Sequence, residues 1–270
     1  DVVVDTFTIP ELNLVDAETF QINLLDYQGS NQLLVIDSIE LEDGEYSDII
    51  LDILDEDLGN SYVVELDDDD QKIIKVPSDT LKLGSFTVTG EETQKFTVEF
   101  NLRESLVYKP GDDEYNLKPR GVRIQNNSDD SSLSGNVASE LFDTETDCAA
   151  KTEPLEGNVI YLYEGHGLDI DDLVDTYDPS EDQDEDIPSG AERPFTSVAV
   201  DGSENYKIAF LPAGDYTLAF SCNAADDDPE QYDGLKIPYP DDQIMEVTLT
   251  AGSSGTNCDL PIENESCADN

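Results

Sequence analysis

The amino-acid sequence predicts an all-β protein: two tandem antiparallel β-sandwich domains with few short helices. Three observations carry that expectation. Apolar and polar residues alternate over short runs such as "TFQINLL" and "KFTVEFNL", the period-two pattern of half-buried antiparallel strands. Turn chemistry separates the runs, in "YQGSN", "EDGEY", "VTGEET" and "KPGDDEY". The chain has 270 residues, room for two domains of roughly 100–150 residues each.

In the first domain, residues 1–126, this pattern places strands at 2–9, 20–25, 33–36, 46–54, 62–66, 72–76, 85–89, 95–102 and 115–124. "LVDAETF" has room for one helical turn. The polar stretch "QNNSDDSS" reads as a linker, taken as residues 127–132. A second set of strands follows in residues 133–262, at 157–163, 195–200, 205–210, 216–222, 244–250 and 256–262, before a tail at 263–270. Residues 165–194 form an acidic insertion. Within it "LDIDDLVDTY" suits a short helix and "DPSEDQDEDIPSG" a mobile loop.

Charge sets the partners. The chain carries 64 Asp and Glu against 13 Lys and Arg, a formal charge of −51. That field repels nucleic acid and anionic lipid and attracts divalent cations and basic surfaces. No apolar run approaches the roughly 20 residues that span a bilayer. No signal peptide is visible. The chain opens on "DVVVDTFTI", already a strand pattern, so the numbering is expected to start after processing or downstream of a segment not included.

One segment runs against this charge. "FNLRESLVYKPGDDEYNLKPRGVRI", residues 100–124, holds Arg103, Lys109, Lys118, Arg120 and Arg123: five of the 13 cations. The expected role is cross-strand pairing with carboxylates on neighbouring strands, at about 0.2–1 kcal/mol per pair. Arginine suits it, because its planar fork binds a carboxylate in bidentate fashion. The functional alternative is an anion- or partner-binding patch.

Cys148, Cys222, Cys258 and Cys267 include no C-x-x-C pair, and His166 is the single histidine, which argues against zinc. An even count suits two disulfides in an oxidising compartment. Of three pairings, the favoured one joins Cys148 to Cys222 and Cys258 to Cys267. No G-x-S-x-G elbow, P-loop or G-x-G-x-x-G is present, and His166 in "YEGHGLD" reads as a surface-loop residue. Calcium is the best chemical candidate, since it takes six to eight oxygens. Asp178, Ser180, Asp182, Asp184 and Asp186 alternate like an EF-hand loop, but Gln183 stands where glycine is required and Ser189 where glutamate is. Asp226, Asp227 and Asp228 with Asp233, the run of four aspartates at 67–70, and Asp169 with Asp171 are further candidates.

The order "LLDYQGS…DGEYS…LKLGSFTV…FNLRESL…LKPRGVRI" resembles the family called domain of unknown function 4382, over most of residues 1–138. The resemblance implies a β-sandwich in secreted or lipid-anchored surface proteins, common in marine bacteria and some archaea, with no assigned activity. The chain departs from the family pattern in that the extra first strand expected before "VVVDTFTI" is missing from this sequence: either it was trimmed, or the edge it would cover is open, and an open edge is a template for a neighbour's strand. "NYKIAFLPAGDYTLAFSC", residues 205–222, resembles the transthyretin-like, carboxypeptidase-regulatory type of sandwich, which implies a fold for residues 132–262 and no catalysis.

Together these readings predict a non-enzymatic acidic structural or binding protein of the extracellular space or the bacterial outer membrane, in a salt-adapted organism. Its expected partners are other surface proteins or copies of itself, with a lipid anchor upstream. One alternative is a filament subunit assembled by strand complementation. The other is a carboxylate-based polysaccharide hydrolase. It needs two carboxyls at a set separation, and sugar-stacking from Tyr alone, since Trp is absent.

Overall fold

A computed structural model describes residues 21–35, 40–47, 49–54, 57–65, 69–77, 80–90, 93–127, 130–143, 148, 151, 156–252, 255–261 and 267–269. The strand expected at 2–9 and the helical turn in "LVDAETF" lie outside these residues. What is described is all-β, with two four-residue helices. None of the described helices is long and apolar enough to cross a membrane.

The N-terminal part holds β1 (Gly44–Tyr46), β2 (Ile50–Asp52), β3 (Tyr62–Val64), β4 (Gln71–Lys75), β5 (Thr80–Lys82), β6 (Phe86–Val88), β7 (Phe96–Phe100), β8 (Leu106–Lys109), β9 (Glu114–Leu117) and β10 (Val122–Asn126). Helix α1 (Leu102–Ser105) sits between β7 and β8. These strands make three two-stranded sheets, β1–β6, β2–β5 and β7–β10, and one four-stranded sheet ordered β3-β4-β9-β8. Three of the sheets meet in one core of Val76, Leu81, Leu83, Leu117 and Val122, flanked by Leu51, Ile74, Phe100 and Ile124.

Several expected strands are shorter or differently placed. Leu24–Tyr27 is a 3-10 turn instead of a strand. Asn23 accepts the Leu25 N–H and donates to Asp26, a local bonding that competes with a sheet ladder. Residues 33–35 carry no strand. The run 46–54 divides into parts of β1 and β2. The run 115–124 divides at Lys118–Gly121, where Pro119 has no N–H to give a ladder. Strands β5 and β8 were not expected. The pairing is also not wholly antiparallel, since β4 runs parallel to β9.

The C-terminal part holds β11 (Asp130–Asn136), α2 (Glu140–Asp143), β12 (Val159–Glu164), β13 (Thr196–Ala199), β14 (Asn205–Pro212), β15 (Gly214–Ser221), β16 (Ile244–Leu249), β17 (Thr256–Asn257) and β18 (Ala268–Asp269). Two four-stranded sheets, β14-β11-β17-β18 and β13-β12-β15-β16, form a sandwich. Its core includes Leu133, Ile160, Leu162, Ile208, Leu211, Leu218, Phe220, Val247 and Leu249. β11 begins inside the expected linker, and it pairs in parallel with β17. Sequence reasoning missed it because its buried positions are Ser131, Leu133 and Gly135, only one of them strongly apolar.

β12 is buried on both faces. Ile160 and Leu162 enter the sandwich core, while Val159, Tyr161 and Tyr163 lie in a second cluster with Leu173, Ala219, Ala224 and Ile237. The acidic insertion supplies part of that cover. Leu173, Val174 and Tyr177 are buried, and Tyr163 Oη donates to Val174 O at 2.8 Å. The expected short helix is a 3-10 turn at Ile170–Asp172. The expected mobile loop is tied down by Gln183, whose amide donates to Asp178 O and Glu230 O and accepts from Tyr232 N–H. A glutamine stands where an EF-hand would need glycine because it bridges two loops here.

Both favoured disulfides form: Cys148–Cys222 and Cys258–Cys267. β11 passes tight against the segment after β17. A Cβ on Gly135 would lie 2.0 Å from Cys258 O and 2.8 Å from the Tyr206 ring. Gly135→Ala is therefore expected to lower stability by about 1–3 kcal/mol through overpacking, read by chemical denaturation. An unchanged unfolding midpoint would contradict this close approach.

Candidate functional site

The cationic run of residues 100–124 meets the two acidic loops of the C-terminal part. Its geometry starts at α1. Asn101 caps that helix, its Oδ1 accepting the Arg103 N–H at 3.1 Å. The Asn101 amide donates to Glu104 Oε1 at 2.7 Å, to Thr196 Oγ1 at 2.9 Å and to Ser197 O at 3.3 Å on β13. Gly121 packs on the same turn, where a Cβ would lie 2.6 Å from Asn101 O and 2.7 Å from Ser105 N. "FNLRES" and "KPRGVRI" thus lock together and aim their cations one way.

Arg103 reaches furthest. Its Nη2 lies 2.8 Å from Asp227 Oδ2, and its Nε donates to Ser197 Oγ at 3.4 Å. The same Asp227 oxygen accepts the Tyr161 hydroxyl at 2.6 Å. The Asp227 side chain is 2% exposed, so the aspartate has no access to bulk water and depends on these partners. Lys109 and Lys118 both pair with Glu230, and Lys118 also reaches Glu181 at 2.8 Å. Arg120 pairs with Asp178 and donates Nε to Glu104 O at 2.8 Å. Arg123 is the one cation that follows the cross-strand expectation. It faces its register partner Glu99 at 2.6 Å and lies 4.5 Å over the Phe195 ring.

The sequence reading therefore located the cations and misplaced most of their partners. Four of the five reach carboxylates on loops of the other part, at sequence separations of 58 to 124. They do not line neighbouring strands.

Burial and charge divide the carboxylates of this junction. Burial would push Asp178 up, but the Ser180 hydroxyl and N–H and the Arg120 guanidinium hold it below its ordinary value. Burial works against Glu230 too, and Lys109 and Lys118 outweigh it and hold it low. Asp227 is raised by burial, against the pull of Tyr161 and Arg103. Burial pushes Glu104 to about 7 despite Arg123 and Arg120 nearby. Asp175 is fully buried, and burial pushes it to about 7 although it accepts the Leu235 and Asp233 N–H groups.

Among the described residues, the calcium candidates are dispersed or already paired. Asp178 and Asp227 are committed to arginines, and Ser180 donates its hydroxyl to Asp178. Asp182, Asp184, Asp186, Asp226 and Asp228 are exposed. Asp70 pairs with Lys72 at 3.0 Å, and residues 67 and 68 lie outside the described ones. Among the described residues no three His, Cys, Asp or Glu side chains are placed to share a metal ion. His166 lies on a half-exposed turn, its Nε2 3.2 Å from Val247 O. The nearby Thr217 hydroxyl donates to Gly165 O instead of to His166.

Comparison with known proteins gives one sequence match. Residues 3–119 match the family Domain of unknown function (DUF4382), from near the start of the chain through β9. No curated protein matches the chain. Among solved structures, the chain is similar to the minor pilin GBS52 of Streptococcus agalactiae, at 16% identity over 87% of this chain and 90% of that one, TM-score 0.24. It is also similar to a candidate cell adhesion protein from Bacteroides uniformis, at 10% identity over 78% and 83%, TM-score 0.24. At such scores neither likeness bears on fold or function.

Two predictions follow from the junction. Arg103→Ala strands a buried aspartate and is expected to cost about 3 kcal/mol, whereas Arg103→Met with Asp227→Asn recovers most of the loss; paired denaturation curves decide. The pH dependence has two limbs. Asp178 and Glu230 are held low, so their stabilisation is lost as pH falls below about 4. Glu104 and Asp175 are raised to about 7, so their contribution is full below their ordinary values and lost as pH rises toward 7. Thermal unfolding should peak near about pH 5, and Glu104→Gln should raise the midpoint at about pH 8 while leaving it unchanged at about pH 4.

Proposed function

We propose that this chain is a non-enzymatic, acidic module of the cell surface or extracellular space that engages cationic partners through its exterior. One observation carries the reading: the cation-rich segment is turned inward onto the acidic loops. What faces solvent is therefore dominated by carboxylates, on a chain of formal charge −51. Such a surface steers positively charged partners toward it and repels like-charged ones. The two disulfides support an oxidising compartment, outside the cytosol.

The junction supports a structural role, since it joins the two parts through ion pairs and a guanidinium laid over an aromatic ring. A salty habitat, a bacterial outer membrane and a lipid anchor upstream fit the same reading, because salt screens the self-repulsion of such a surface. Divalent cations then act as diffuse counter-ions of the exterior.

Binding to an immobilised polylysine surface tests this. Screening shortens from about 30 Å at 0.01 M salt to about 3 Å at 1 M. Association is expected to be fast and tight at the low end and lost at the high end. Turnover on a glycan panel, or binding indifferent to salt, would overturn the proposal.

A further inference from the structure

The loop after β12 folds over the face of β15 and β16 and borders a hollow. His166 Nε2 lies 3.2 Å from Val247 O. A carbonyl only accepts, so Nε2 carries a proton, and in the neutral ring Nδ1 is then the acceptor. Nδ1 lies 3.8 Å from Glu246 Oε2, while the other Glu246 oxygen accepts the Gly167 N–H at 2.7 Å. With the ring neutral, two acceptors thus stand near each other, too far apart to bond directly. Asp215 Oδ1, which accepts the Thr248 hydroxyl at 2.7 Å, lies 4.0 Å from Nε2 and adds negative charge. Beside this acceptor rim the hollow, about 540 Å³, is lined by the apolar Leu168 and Ile244.

We propose that the hollow binds a primary alkylammonium group, with its N–H donors bridging His166 Nδ1 and Glu246 Oε2 and its methylenes on Leu168 and Ile244. The chemistry selects among cations. One imidazole and one close carboxylate make a poor metal shell, consistent with the absence of a three-ligand cluster among the described residues. An ammonium supplies three donors on a flexible stem and needs only two or three acceptors with an apolar wall. The group is a lysine side chain of a partner or a free amine. Binding of a small amine at this hollow is independent of whether the exterior as a whole docks polycations.

His166 is the single histidine, so its ring gives one NMR signal to follow. The purified chain is titrated with butylammonium, with tetramethylammonium, which has no N–H, and with zinc ion, all at matched ionic strength. Saturable movement of the His166 signal by butylammonium in the millimolar range is expected, with about tenfold weaker binding in Glu246→Gln and a smaller loss in Asp215→Asn. Both carboxylates are more than half exposed, at 55% and 59%, so these variants are expected to fold. A short lysine peptide that binds more tightly than butylammonium points to a protein partner, and equal binding points to a free amine; both support the site. Equal shifts with tetramethylammonium, saturation by zinc alone, or unchanged affinity in Glu246→Gln would overturn it.

Discussion

A buried aspartate in a chain already overloaded with negative charge is the constraint on which the junction depends. Asp227 has been removed from water, and burial of a lone carboxylate is costly. The molecule answers with one arginine and one tyrosine converging on the same oxygen. Each of those groups is itself placed by something else. Arg103 is aimed by the Asn101 cap, and Tyr161 by the alternation of β12, which sends Ile160 and Leu162 inward and the two tyrosines outward. Loop, helix and sheet therefore have to be right together, which makes the ion pair a reporter of correct assembly more than a large source of stability.

The other pairs differ in kind. Lys118 is shared between Glu230 and Glu181, and Lys109 joins it on Glu230, so two ammonium groups serve one largely buried glutamate. Such sharing forms a network, and networks couple their members more strongly than isolated surface pairs do. At Glu104 and Asp175 burial outweighs the nearby arginines and the accepted N–H groups, whereas at Asp178 and Glu230 the hydroxyl, guanidinium and ammonium partners outweigh burial. Their acidities therefore move in opposite directions.

The legible part of the fold was the part written in strongly apolar alternation. β12 to β16 lie within about two residues of their expected spans, because "NVIYLY" and "YTLAFSC" combine aromatic, β-branched and regularly spaced residues. β11 was invisible because a strand buried through serine and glycine carries little hydrophobic signal. In the N-terminal part, local side-chain bonding at Asn23 and the proline at 119 broke runs that looked continuous. The site shows the same division. An anomaly in charge was visible along the sequence, but its partners stood dozens of residues away on loops, and no periodicity reports a contact of that range. The alternating aspartates misled for a related reason: alternation describes where oxygens occur along the chain and says nothing of which of them a nearby arginine has claimed.

The β13 edge of the sheet β13-β12-β15-β16 has a last consequence. Asn101 of the N-terminal part occupies the Ser197 carbonyl of β13, on the side facing away from β12. A strand from a second chain, arriving to extend this sheet at β13, would first have to evict that side chain. Copies of the protein crowded together are thus discouraged from zipping edge to edge there, at small cost: one amide acts as a stopper against runaway stacking.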